Sequence, residues 1–255
     1  MRKFIMAAAL AVVALCSSAP SADAAFKIRI SSDGGATFGT VIEDNMAGDN
    51  SGVAGLITTN FALPGGGTVG FVISSNRTLG LPFGRLSQTE LAFVGGTTFS
   101  SASTFVIDVT DTDYTAPTGL SLLTSEASGT GLSGQNATTA NISFQSWAND
   151  PNVEFGTGLF TGGVQGPFVN TNFGGPNAPD TVSSLGMLSV PYSITSRFTI
   201  SNVVIPAGGS LQLTGTATVT SAVPAPAGLV LAVAGMPVFG LGAWVRRRRA
   251  AKVAS

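Results

Sequence analysis

The sequence predicts an all-β chain: a single β-sandwich, jelly-roll or immunoglobulin-like, flanked by an N-terminal signal peptide and a C-terminal transmembrane helix. Three observations predict it. Apolar residues recur at every second position in many short runs, Gly-rich turns separate those runs, and an uncharged segment stands near each end of the chain.

The N-terminal segment has the three parts of a secretory signal. Arg2 and Lys3 form a positive start, and Ile5 to Cys16 is an apolar run of 12 residues, short for a membrane span. Ala22-Asp23-Ala24 then has the small-x-small form of a cleavage site, which places the cut between Ala24 and Ala25. Residues 1–24 are thus expected to be removed, and Cys16, the one cysteine of the chain, goes with them. With no histidine anywhere, the mature chain has neither thiolate nor imidazole. Cys-His and Ser-His-Asp nucleophilic sites and the usual zinc sites are excluded, and so is a disulfide.

Residues 25–222 form the predicted extracellular β-sandwich domain. Phe26-Lys27-Ile28-Arg29-Ile30 alternates apolar with charged side chains. Val69, Phe71 and Ile73 share one face; so do Phe105, Ile107 and Val109, and Ile142 with Phe144. Tyr192, Ile194, Phe198 and Ile200 oppose Ser193, Thr195, Arg197 and Thr199, and Leu211, Leu213, Ala217 and Val219 oppose Gln212, Thr214, Thr216 and Thr218. A period of two is the signature of half-buried strands. Asp33-Gly34-Gly35, Pro64 to Gly67, Gly95-Gly96, Gly174-Gly175-Pro176 and Ala207-Gly208-Gly209 supply the turns. The Gly/Ser/Thr-rich stretches 125–139 and 156–179 read as long surface loops, the second alternatively as a boundary between two small β domains. This region carries five basic and twelve acidic residues, a net charge of −7. An acidic surface without a basic stripe argues against nucleic-acid binding.

Two clusters in it are candidates for binding. Asp108, Asp111 and Asp113 lie in Asp-Val-Thr-Asp-Thr-Asp. Parity puts Asp111 and Asp113 on the apolar face, so the strand is expected to end near Thr110. The carboxylates then sit on a rim loop, as an oxygen-rich calcium site or as a solvated acidic turn. Trp147, Asn149 and Asp150 form the second cluster. Trp147 falls on the outward side with Gln145, either exposed to stack on a sugar ring beside the two polar side chains or packed beneath a loop. No spacing selects a pair of carboxylates for glycoside hydrolysis, and no Gly-x-Ser-x-Gly occurs, so the domain is expected not to be an enzyme.

The C-terminal segment, 223–255, is the most specific feature. Val223-Pro224-Ala225-Pro226 is a proline-stiffened neck. Residues 227–245 follow without a charge, 19 residues that span about 29 Å as a helix, the thickness of a bilayer core. Arg246, Arg247, Arg248 and Arg249 come next and favour the cytoplasmic side. A Pro motif, one span and an arginine cluster in this order resemble the PEP-CTERM sorting signal, with Ala225 where the usual motif has Glu. The resemblance implies recognition by an exosortase-like sorting enzyme, membrane attachment through the C-terminal helix, and delivery to the cell surface or to exopolysaccharide. The expected role is an exported, non-catalytic envelope or extracellular-matrix protein, held transiently or permanently at the cell surface. The alternative is a carbohydrate-binding or adhesive module, calcium-dependent if the aspartates bind the ion; no other cofactor is expected.

Overall fold

The computed structural model describes residues 25–62, 68–77, 81–94, 97–98, 104–132, 141–158, 160–168, 180–202, 204–205 and 210–222. Ala22 and Ala24 of the cleavage signal, Val223 to Pro226, the apolar span and Arg246 to Arg249 lie outside these residues. The described strands belong to one compact unit, 1–221; of the second unit, 222–255, only Ala222 is described. Among the described residues no helix is long and apolar enough to cross a membrane.

The alternation predicted along the chain organises two antiparallel sheets into a β-sandwich. The first contains β1 (Lys27–Ser31), β2 (Ile42–Glu43), β7 (Thr104–Tyr114), β9 (Asn141–Asn149), β10 (Phe160–Thr161), β11 (Gln165–Phe168) and β13 (Tyr192–Ser201). Its order is β10-β9-β13-β7-β1-β2, with β11 also paired to β9. The second contains β3 (Leu56–Ala62), β4 (Thr68–Ser75), β5 (Gly84–Val94), β8 (Gly119–Leu132), β12 (Asp180–Leu188) and β15 (Ser210–Ser221), in the order β12-β8-β15-β5-β4-β3. Two-residue strands β6 (Thr97–Thr98) and β14 (Val204–Ile205) pair separately.

The expected inward sets of β4, β7, β9, β13 and β15 are all buried, and they meet in one core. At its centre the Phe144 and Phe198 rings lie 4.7 Å apart. Gly215 fits beneath them because a Cβ there would stand 2.5 Å from the Phe144 ring.

Two expectations are corrected. Residues 125–132, read as the start of a surface loop, continue strand β8. Ser125, Ala127 and Gly129 face inward there and Glu126, Ser128 and Thr130 outward. The inward residues are so small that hydropathy does not register the alternation. Their size lets the sheets approach closely enough for Ser125 Oγ to hydrogen-bond Ser146 Oγ on β9, and for Gln165 Nε2 to donate to the Ser125 carbonyl at 2.8 Å. Likewise β7 does not end near Thr110 but runs to Tyr114. A shift in its register with β13 sets Thr112 and Asp113 opposite Ser193 alone, a β-bulge, with Asp113 at φ 62°. Asp tolerates that left-handed backbone better than most residues. The bulge resets the parity: Asp111 and Tyr114 both face inward, and Asp113 leaves the face it would otherwise share with Asp111.

Candidate functional site

The bulge and the strand registers separate the three aspartates. Asp108, on the outward face of β7, stands opposite Arg29 of β1 and Arg197 of β13. Arg29 donates to Asp108 Oδ2 from Nε at 3.0 Å and Nη2 at 2.8 Å. Arg197 donates to Oδ1 from Nε at 2.6 Å and to Oδ2 from Nη2 at 2.8 Å. The Asp108 carboxylate is fully buried, and its hydrogen bond to Arg197 raises that guanidinium's pKa. Arg29 is also clasped between two rings, Phe38 at 3.8 Å and Phe155 at 4.0 Å. This stack fastens the segments on either side of Phe38 and Phe155 over the sheet, which is why an outward carboxylate has no exposure. Lys27 extends the cover: its ammonium lies 2.9 Å from Glu154 and 3.4 Å from Glu43, and the hydrogen bond to Glu154 raises its pKa.

Asp111 is equally buried but enters the sandwich interior. Its carboxylate takes the Arg77 Nε at 3.1 Å, the Thr112 amide at 2.9 Å and the Ser75 hydroxyl. Ser75 Oγ lies 2.8 Å from Tyr114 Oη, and Tyr114 stacks on Tyr192 at 5.4 Å. Burial outweighs the arginine and pushes the Asp111 pKa up to about 6; burial likewise drives the Tyr114 phenol well above its usual range. Asp113 turns to Asn152, whose Nδ2 donates to Oδ1 at 2.6 Å. Asp108 therefore sits among guanidinium groups, Asp111 between the sheets and Asp113 against the neighbouring turn that carries Asn152. Among the described residues no group of three or more His, Cys, Asp or Glu side chains is placed to hold a metal ion.

Trp147 lies on the outward face, as parity predicts, yet only 7% of it is exposed. The Arg197 guanidinium stands 5.7 Å from its ring, and Thr161 and Thr195 flank it across the strands. Its face is not offered to a ligand.

Asn149 and Asp150, the other members of that cluster, do open onto a cleft of about 350 Å³. It lies at the end of β9, beside β10 of the same sheet and β12 of the other, and Pro151, Phe160, Met187 and Leu188 complete its wall. Asp150 turns the chain out of β9 and accepts the Ser189 amide at 2.9 Å, which ties the tip of β12 to this turn. Asn149 is seated under the loop that follows: a Cβ on Gly156 or Gly158 would fall 2.2 or 2.3 Å from its amide group. Phe160 packs on the core through Gly186, where any Cβ would stand 2.6 Å from the ring. Met187 belongs to a raised apolar block. It pairs across the strands with Leu120, and Leu185 with Leu122; Leu120, Leu185 and Met187 are 50, 64 and 69% exposed. Phe160, Met187 and Leu188 did not register in the sequence reading. The signal was there in reverse: outward leucine and methionine blur the alternation of β12, and a surface patch of such residues marks a contact surface.

No family model and no curated protein matches the chain. Among solved structures it is similar to TmCBM61, solved with β-1,4-galactotriose (9% identity over 58% of this chain and 86% of that one, TM-score 0.27). It is also similar to the Endo-D glycoside hydrolase domain from Streptococcus pneumoniae R6 (10% identity, 65% of this chain, TM-score 0.30), of which it spans only 21%. A family 35 carbohydrate binding module from Clostridium thermocellum is a third (12% identity, 54% of this chain and 92% of that one, TM-score 0.24). With every TM-score below 0.5, these likenesses carry no weight on function, and the cleft has to be judged by its own chemistry.

Proposed function

We propose that the chain is an exported, non-catalytic β-sandwich that binds carbohydrate at the cell surface, where its C-terminal sorting segment delivers or holds it. The observation that carries the ligand class is the cleft of Asn149 and Asp150. A carboxylate and an amide stand beside a phenyl ring and a methionine. A sugar ring needs that combination: an apolar wall for its C–H face and oriented polar groups for its hydroxyls. The rigid placement of Asp150 by Ser189, and of Phe160 by Gly186, preorganises both parts. The exposed Leu120, Leu185 and Met187 lengthen the apolar wall beyond the cleft, which suits an extended oligosaccharide more than a monosaccharide.

Calorimetry against a panel of neutral tetrasaccharides tests this reading. Asp150→Ala is expected to weaken binding about 10- to 100-fold by removing one charge-assisted hydrogen bond to the ligand, with a loss of about 1 kcal/mol in stability from the Ser189 amide it leaves unpaired. Binding that is indifferent to Asp150→Ala and to Phe160→Ala alike would remove the cleft from consideration. The delivery half of the proposal rests on the neck, the apolar segment and the arginine cluster. Its expected result is a mature protein whose mass begins at Ala25. That protein either partitions with the membrane, carrying 227–245, or is soluble and truncated near Pro226. A full-length tail in a form that never associates with membrane contradicts it.

A further inference from the structure

We propose a second carbohydrate site at the diagonally opposite corner of the sandwich, so that one domain bridges two polysaccharide chains. This rests on the carbohydrate reading of the first cleft. A separate cleft of about 350 Å³ opens between the end of β1 and the edge strand β3, lined by Phe38, Phe61, Phe105, Ser32, Thr37 and Thr40 among others. Phe38, Phe61 and three hydroxyl-bearing residues line one space with the buried Phe105 at its floor, and none of the described residues lining it is titratable. Charge complementarity therefore selects an uncharged ligand, and the mixture of ring faces with hydroxyls selects one that is apolar on a face and hydroxylated at its edge. A neutral pyranose meets both conditions, and a cleft of this size has room for one or two of them.

The site is built before a ligand arrives. Phe38 is fixed by its stack on Arg29, Phe61 by an edge-on contact with Phe71 at 5.3 Å, and Phe105 by burial in the core. The connecting loop is tied at both ends, by the Gly34 amide to the Thr104 carbonyl and the Gly39 amide to the Ile30 carbonyl, each at 2.9 Å. Inside the loop Asp33 accepts the Thr37 amide at 2.9 Å and the Ser31 hydroxyl at 2.6 Å. The Ser31 and Thr37 hydroxyls hold its pKa below the usual carboxylate range.

The two clefts sit on opposite flanks. The first lies beside β10 and β12, which begin the strand orders of the two sheets; the second lies beside β1, next to last in the first order, and β3, last in the second. Four inter-strand steps separate β10 from β1 and five separate β12 from β3, roughly 19–24 Å. The clefts also lie at opposite ends of the strands, near Phe105 and Asn149 respectively. A short oligosaccharide in one does not reach the other, so two occupied clefts join two chains or two distant stretches of one. Linked sites convert modest single-site affinity into avidity for a polymer.

The decisive experiment is a titration of the full domain with the same neutral tetrasaccharides, paired with turbidity of the parent polysaccharide. Two sugars per chain are expected. Thr40→Trp, on an exposed rim position, should fill the second cleft, reduce the stoichiometry to one and abolish polysaccharide cross-linking, with the remaining affinity unchanged. Phe61→Leu, a milder change checked by circular dichroism, should weaken the same site if the tryptophan variant misfolds. Asp150→Ala should leave the complementary single site. A stoichiometry of one that Thr40→Trp and Phe61→Leu do not alter but Asp150→Ala abolishes overturns the second site and leaves the first standing. No binding by any form overturns both.

Discussion

Asp108→Asn is expected to destabilise the domain by about 3 kcal/mol, the scale for breaking a buried ion pair by removing one partner. The substitution keeps the shape and removes the charge on which Arg29 and Arg197 converge. Both guanidinium groups are partly exposed and recover some hydration, so the loss is expected at the lower end of the range for fully buried pairs. For a domain of this size that corresponds to roughly 6–12 °C in melting temperature. A second consequence follows from the ring stack. With Asp108 neutral, Arg29 loses the contact that orients it between Phe38 and Phe155, and amide exchange around both rings should quicken. Asp108→Asn with wild-type stability and exchange would mean that the apolar stack, not the carboxylate, holds the arginine.

The pH dependence of stability is the second large effect, and its sign is opposite to the usual acid denaturation. The Asp111 pKa is raised to about 6 in the folded chain, chiefly by burial, against 3.8 for the free side chain. Between those values the folded state holds the proton more tightly than the unfolded one, so stability increases as pH falls through about 6 and the gain is complete near 4. The separation corresponds to about 2–3 kcal/mol. The groups facing Asp111 are Arg77, Ser75, the Thr112 amide and Tyr114; the arginine, the Ser75 hydroxyl and the Thr112 amide all favour the charged form, and burial outweighs them. Other carboxylates titrate in the same range, so the measurement is the difference between wild type and Asp111→Asn in urea unfolding from pH 4 to 7. That difference should shift by 2–3 kcal/mol across the range, with wild type relatively more stable at the acid end; a difference that stays level would show the carboxylate to be ionised throughout.

Much of the fold was legible because its signals are local. Val69-Phe71-Ile73 and Leu211-Leu213 declare their inward faces within a few residues. The half of β8 that was missed carries Ser, Ala and Gly inward, and small side chains leave no hydropathy contrast to read. Asn149 and Asp150 were legible as a polar turn after a strand. Phe160, Met187 and Leu188, which complete their cleft, come from segments that meet only because β10 and β12 lie on the same flank. Trp147 was legible as outward-facing and, in one of its two readings, as covered; that Arg197, 50 positions along the chain, stands over it was not.

The sequence by itself determined the strand class, the inward faces of most long strands, the absence of thiol and imidazole side chains from residues 25–222, and the expectation of a sorting segment at the C-terminus. Each depends on composition or on neighbours in the chain. Only the tertiary structure decided which charges meet. Arg29, Asp108 and Arg197 became one buried ion cluster, and Asp111 was turned into the interior away from Asp113, through strand register and a single bulge. Register is a relation between distant segments, set by the summed burial of two whole faces, and no short window of sequence contains it.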